Sequence, residues 1–270
     1  MTEKIEFTCL LPVHGGDDPA HFVEAMQSLA RSTLRPSEVL ICQDGPLPTG
    51  LAAVVEDCTV TFGARLAPNP GLLGLHHNLN QALKSVRTPW VARCDADDIN
   101  LPRRFELQTA FLESHSDVGV LGGDLVEFWP DGRERRKSMP RSHDQVLAWA
   151  KWRSPINHNT AFYRTGDLST CGGYPDLAFK EDYGLWLQLL GRGVRFANLD
   201  KPLVRARLGQ GFYRRRAGLK NLRSEWGLYR IRRGIPGMGG AGATAALMAR
   251  SAALALSGPA RLVYELALRR

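Results

Sequence analysis

Trp90-Val91-Ala92-Arg93-Cys94-Asp95-Ala96-Asp97-Asp98 runs from apolar residues straight into three carboxylates within four positions. Such a run reads as a buried strand, which leaves the acids at its C-terminal tip. Like charges this close repel one another unless a cation compensates. Asp-x-Asp at a strand end is a compact oxygen site suited to Mg2+ or Mn2+, cations that keep their waters and bridge to phosphates. A solvated acidic turn leading into a helix near Pro102 explains the same residues equally well, so the rest of the chain must decide.

On the N-terminal side, Ile5–Leu11, Glu38–Cys42 and Val60–Leu66 read as three further strands. Helical patterns lie between them: Asp17 and Asp18 can cap a helix with Pro19 in its first turn, and helices are expected near Thr49–Asp57 and Leu72–Ser85. Strands alternating with helices argue for a parallel sheet with right-handed crossovers. Ligands of such sheets sit beyond the carboxyl ends of the strands. His14, Asp44 and Asp95 all fall just past those ends, so separate strands aim polar residues at one rim.

On the C-terminal side, a helix from Pro102 to Ser114 precedes a strand over Val118–Phe128, where Gly122-Gly123 predicts a bulge. Gly132–Arg141 reads as a polar, arginine-rich loop, and Pro155–Tyr163 as a loop entering a strand. After the Gly172-Gly173-Tyr174 turn, Glu181-Asp182 opens a helix with Leu185, Trp186, Leu189 and Leu190 on its apolar side. Val194–Asn198 and Leu203–Arg207 are expected as two short edge strands. From about Tyr213 the chain reads as helical, with breaks at Gly234–Gly240 and Gly258-Pro259.

The two acids at the Glu181 helix start have an ordinary explanation, since carboxylates stabilise a helix N-terminus. They also suit a general base, because a carboxylate on a rigid helix tip can take a proton from a hydroxyl. His14 and His158 are ordinary loop histidines unless a ligand calls on them, and Asp44 can serve its own turn.

Composition narrows the class. The chain has 270 residues, 44% hydrophobic and 23% charged, as expected of a globular α/β protein. Its five scattered cysteines show neither zinc-ligand spacing nor a disulfide framework, which fits a reducing cytoplasm. The polar start predicts no signal peptide, and the most apolar stretch, Ala241–Leu256, is broken by Arg250. The net charge of +8 is unevenly spread. Residues 1–200 hold 20 cations and 25 anions, net −5, whereas residues 201–270 hold 15 and 2, net +13. That tail calls for an anionic partner. Phosphate-loop, nucleophile-elbow and zinc-protease motifs are absent, and no DNA-reading module is recognisable.

Taken in order, several segments resemble family 2 glycosyltransferases of the GT-A fold, especially those making bacterial exopolysaccharides of the amylovoran and colanic-acid type. They are Leu11-Pro12-Val13-His14, Ile41–Pro46, Pro89–Asp98, Pro102–Gln108, Asn157-His158, Gly172-Gly173-Tyr174 and Glu181–Trp186. The resemblance implies an α/β, Rossmann-like GT-A domain over 1–210, its mostly parallel sheet flanked by helices. The nucleotide-sugar half would be about 1–100 and the acceptor half about 101–210, with a basic helical extension over 211–270. It implies a metal-dependent, inverting transfer of a sugar from a nucleotide sugar, expected to be UDP-linked, to a glycan or polyprenyl-diphosphate-linked acceptor.

By the same resemblance, Pro12, Val13, His14, Asp44, Asn80, Arg93, Asp95 and Ala96 would bind the nucleotide sugar. Asp97, with Asp95, would hold Mg2+ or Mn2+. Asp182 would be the catalytic base, supported by Glu181, and His158, Gly172 and Gly173 would border the donor sugar or acceptor. Arg205, Arg207 and Arg214 are candidate diphosphate contacts. Three features depart from the family pattern: His14 where an aromatic is common, Gln43 where an acid is common, and about three extra residues between Asn69–Leu72 and Leu79–Leu83.

The C-terminal helices, with Trp226 and Tyr229 among cations, suit a membrane surface, packing on the catalytic domain, or a homo-oligomer. The protein is therefore expected in the cytoplasm, peripheral on the inner face of the cytoplasmic membrane if those helices bind lipid. A sugar nucleotidyltransferase is the main alternative, but the turn His14–Asp18 lacks that class's basic glycine-rich loop. A non-catalytic binder of anionic polymers, nucleic acid included, is disfavoured by the acidic first 200 residues.

Overall fold

The computed structural model describes residues 5–209 and 219–255. Arg214 and the Gly258-Pro259 break lie outside the described residues.

The first half alternates as expected. β1 (Phe7–His14), β2 (Glu38–Asp44), β3 (Arg65–Asn69) and β4 (Trp90–Arg93) alternate with α1 (Pro19–Ala30), α2 (Thr49–Phe62) and α3 (Leu75–Leu83). β1 pairs in parallel with both β2 and β4, and β2 with β3. Asp18 caps α1 by accepting N–H bonds from Ala20 at 2.8 Å and His21 at 3.2 Å, with Pro19 as the first helical residue.

One boundary differs from expectation. The β-branched run near Val60 is not a strand: α2 continues through it to Phe62 and stops at Gly63, whose φ of 64° is easily reached without a Cβ. Val60 is left exposed, and β3 begins only at Arg65.

The second half departs further from simple alternation. It contains β5 (Ile99–Asn100), α4 (Arg104–Ser114), β6 (Val118–Phe128), β7 (Glu134–Lys137), α5 (His143–Ala150), β8 (Phe162–Arg164), α6 (Thr165–Cys171), α7 (Glu181–Gly191) and β9 (Arg195–Arg207). The sheet order is β3-β2-β1-β4-β8-β6-β9-β5, with β7 added to β6. β8 runs antiparallel between β4 and β6 and so joins the two halves into one sheet.

The two edge strands expected at 194–207 are one strand, β9, lying between β6 and β5. Its pairing with β6 shifts register around Gly123 and Asp124, where the glycine pair predicts a bulge. That irregularity lets one strand pass through the polar segment Asp200-Lys201, which looks like a break in the sequence. α8 (Leu219–Arg233) and α9 (Ala241–Ala255) follow, separated by the expected break.

Strand alternation divides the core between the sheet faces. Cys9, Leu11 and Val13 of β1 join the cluster containing Phe22 and Met26 of α1, Val55 of α2 and Phe105 of α4. Leu10 joins the opposite cluster, which contains Leu79 of α3, Val146 of α5 and Trp186, Leu187 and Leu190 of α7. Helices on both faces leave the carboxyl-end rim of β1, β2 and β4 as the open edge.

Candidate functional site at the carboxyl-end rim

β1 and β2 end in register at His14 and Asp44. Pro12 and Val13 are largely covered, while His14 is exposed and pairs through Nδ1 with Asp17 at 2.8 Å. Asp17 also accepts the backbone N–H of His14 at 2.8 Å, so the turn folds back on the strand end. Asp44 is buried and does not serve its own turn. Its two oxygens accept the backbone N–H groups of Leu73 and Gly74, each at 3.0 Å, fixing the loop before α3. That loop leaves Leu72 and Leu73 exposed beside the rim.

The acidic turn after β4 divides its three carboxylates among different partners. Asp95 receives Nη2 of the wholly buried Arg93 at 2.6 Å. Burial opposes the charge on Arg93, but Asp95, with Tyr174 and Tyr163 beyond it, raises its pKa. Asp98 is buried and accepts the Nδ2 of Asn159 at 2.5 Å and the backbone N–H of Arg207 at 2.9 Å. Desolvation, then Asp95 and Asp97, push Asp98 well above the usual carboxylate value. Its role is to tie the turn to β9 and to the short helical turn at His158–Thr160.

Asp97 alone of the three is exposed. Desolvation within the cleft, then the charges of Asp95 and Asp17, push it up to about 6. Because its surface reaches solvent, the acidic neighbours are the firmer part of that shift. Ala96 between them is buried.

Among the described residues, no group of three or more His, Cys, Asp or Glu side chains is arranged to hold a metal by itself. The donor chemistry nevertheless fits Mg2+ or Mn2+, which are commonly bound by one or two carboxylates together with substrate phosphates. An exposed carboxylate whose anion is disfavoured by two acidic neighbours is a place where a cation relieves repulsion.

The remaining candidates come from the second half of the chain. Glu181 and Asp182 form the first turn of α7 and are only partly covered. The buried hydroxyl of Tyr174 feels the charges of both Arg93 and Asp182. That hydroxyl bonds His158 Nε2 at 3.0 Å and the Tyr163 hydroxyl at 2.9 Å. Burial, reinforced by Arg93, holds His158 well below the usual imidazole value.

Asn80 takes a structural part. It accepts the backbone N–H of Tyr174 and donates to its carbonyl, both at 2.8 Å. The preceding Gly173 sits at φ 83°, and a Cβ there would lie 2.3 Å from Asn80 Oδ1. The glycine turn is thus clamped from α3. Phe179, at φ 65°, is the non-glycine residue with positive φ among the described residues, and it stands exposed two positions before Glu181.

Of the arginines, Arg205 pairs with Glu134, and Arg207 pairs with Glu24 while its Nε donates to Asp97 O at 3.2 Å. Arg207 therefore borders the acidic turn, and Arg205 faces the β7 hairpin. Sequence reasoning missed three contributors here. Arg104, fully buried in α4, donates Nη2 to Arg93 O at 2.8 Å; Gln108, one turn on, donates to Thr160 O at 2.9 Å. Asp17, read only as a helix-capping candidate, belongs to the charge environment of Asp97.

The sheet has the architecture of the GT-A glycosyltransferase fold. The chain belongs to Glycosyl transferase family 2, whose model matches residues 9–181. It is 33% identical over 226 residues to the amylovoran biosynthesis glycosyltransferase AmsE of Erwinia amylovora, covering 84% of this chain and 85% of that one. It is 32% identical over 226 residues to the UDP-Gal:alpha-D-GlcNAc-diphosphoundecaprenol beta-1,3-galactosyltransferase of Escherichia coli, covering 82% and 80%. In fold it is similar to S. aureus TarS 1–349 in complex with UDP-GlcNAc, with a TM-score of 0.68, 19% identity, and coverage of 86% of this chain and 68% of that one.

Proposed function

We propose that the chain is a divalent-cation-dependent, inverting glycosyltransferase of bacterial surface polysaccharide synthesis. It would move a sugar from a UDP-linked donor to a hydroxyl of a glycan or polyprenyl-diphosphate-linked acceptor. The observation that carries this reading is the exposed carboxylate Asp97 at the carboxyl-end rim, beside an Asp95 that the buried Arg93 holds at 2.6 Å. We read the acidic turn as the donor side and Asp182 as the acceptor-side carboxylate of one cleft. The UDP-dependent galactosyltransferase among the relatives supports the choice of donor and of a lipid-linked acceptor.

In this reading residues 1–100 serve the donor, 101–210 the acceptor, and 211–270 form the basic extension. Pro12, Val13 and His14 border the base, and Asp44 acts through the loop it holds. Asp97, with Asp95 behind it, would hold Mg2+ or Mn2+, which supplies positive charge to the departing diphosphate. Asp182 takes the proton of the acceptor hydroxyl as that oxygen attacks the anomeric carbon, and the position of Glu181 on the same helix turn keeps that side of the cleft anionic. One displacement inverts the centre, so an α-linked donor yields a β-linked product. Arg93 orients Asp95, and Arg207 borders the diphosphate side.

Two substitutions separate the roles. Asp97→Ala should abolish Mn2+-dependent UDP binding in calorimetry, whereas Asp182→Asn should retain it and lose transfer to a lipid-linked acceptor. Metal-independent UDP binding that survives Asp97→Ala would sink the donor-site assignment; turnover retained in Asp182→Asn would move the base elsewhere.

A further inference from the structure

The charge of the tail is not scattered over α8. Leu222, Arg223, Trp226, Arg230 and Arg233 are exposed, with Tyr229 half-buried beside them. At 100° per residue these six positions fall within one arc of about 120°. The opposite side is turned inward: Asn221, Ser224, Glu225, Leu228 and Arg232 are buried.

The sorting of charge is selective. Glu225, the acid of this helix, turns inward and pairs with Lys180 at 2.9 Å. Arg232 also turns inward, onto the Tyr183 hydroxyl. What remains outside is cationic and aromatic. Trp226 and Tyr229 lie 5.2 Å apart between ring centroids, and with Arg230, Arg233 and Gly234 they line an open hollow of about 660 Å³. Among the described residues, none of Arg223, Arg230 and Arg233 is paired with a carboxylate.

The helix is also held in a fixed direction. Glu225 meets Lys180 just before α7, a Cβ on Gly184 would meet Ile231 at 3.6 Å, and one on Gly191 would meet Ile235 at 2.9 Å. α8 therefore runs parallel to α7, and Leu222 and Trp226 lie toward the end of α7 that carries Glu181 and Asp182.

We propose that this outer face of α8 is a contact surface for an anionic phospholipid bilayer. Indole and phenol rings, apolar with one polar edge, settle at the headgroup level, and arginines beside them meet lipid phosphates. The three arginines make the same face repel a second copy of itself, which argues against a symmetric dimer through it. The inference does not depend on which sugar is transferred, and its failure would leave the donor-site reading untouched.

The test is co-sedimentation of the full-length protein with vesicles of phosphatidylcholine alone or phosphatidylcholine with phosphatidylglycerol. The wild type should bind only the anionic vesicles and release at high salt. Each of Arg223→Gln, Arg230→Gln and Arg233→Gln should weaken partitioning about fivefold, the triple variant more, and Trp226→Ser should weaken it as well. The corresponding lysine variants should restore binding. Melting transitions and UDP binding should match the wild type throughout; if the triple variant loses its transition, the single variants carry the test. Failure of the wild type to bind anionic vesicles, or glutamine and serine variants that partition like the wild type, would overturn the proposal, the latter placing the contact elsewhere on the basic tail.

Discussion

At the scale of single residues, Asn80 makes a structural contribution that its sequence neighbourhood does not display. The sequence places it in a helix, and the family resemblance implies a nucleotide-sugar contact. Both functional atoms of its amide are instead engaged by the backbone of Tyr174, a partner 94 positions away. Asn80→Ala leaves a buried N–H and a carbonyl without that partner, which should cost about 2 kcal/mol of stability. Because the turn it clamps carries Tyr174, whose hydroxyl bonds His158 and Tyr163 and feels the Asp182 charge, transfer should fall by more than UDP binding does. Urea unfolding together with calorimetry checks both parts, and unchanged stability would remove the clamp from the account. Asp95, Asp97 and Asp98 were legible as a group because local spacing alone brings them together. The partners of Asp98 were not legible, since Asn159 and the backbone of Arg207 reach it from distant elements.

At the scale of elements, most of the parallel first half follows from periodicity, because β1, β2 and β4 are apolar runs bounded by turn residues, whereas the largely exposed β3 is not. The second half resists the same reading. Gly132–Arg141 looks like a solvated loop rich in arginine, yet β7 forms within it and pairs with β6. Its arginines have partners on the neighbouring strand: Arg135 meets the buried Glu127, while Arg136 and Arg141 converge on the fully buried Asp124. A sequence window centred on the arginines cannot see those acids. α5 was not read from the sequence, although Ser142 and Gln145 form a capping box at its start. Although burial opposes the anion, hydrogen bonds from Arg141, Arg136 and Met139 N hold Asp124 below its ordinary value. Asp124→Ala should therefore unfasten β7 from β6 and cost about 3 kcal/mol, at the lower end for a broken buried pair because both arginines retain access to water. Denaturation measures the cost, and amide exchange confined to 134–141 shows whether the hairpin opens first.

At the scale of the whole molecule, β8 unites the parallel first half and the mixed second half in one sheet, and His158 lies just before that strand. Its ring faces the Tyr174 hydroxyl and the Trp186 indole, with the Arg93 charge nearby, so protonation would add a cation where a cation already sits. Its native pKa is depressed below the unfolded value near 6.5, and the sign follows. Its contribution is fully present above about pH 6.5 and is lost as pH falls toward the depressed native value, by at most about 1.4 kcal/mol per pH unit. Asp97 and Asp98 act in the opposite sense: raised carboxylates contribute most at low pH and lose that contribution as pH rises, through about 6 for Asp97. The net profile of the wild type therefore mixes two slopes, and only a difference isolates the histidine. His158→Gln keeps a polar partner for Tyr174 but cannot be protonated, so its stability should fall less than that of the wild type between pH 7.5 and pH 5.5. Parallel slopes in urea titrations of the two proteins would show that His158 is solvated after all and that the His158–Tyr174–Tyr163 chain does not hold a neutral imidazole between the halves.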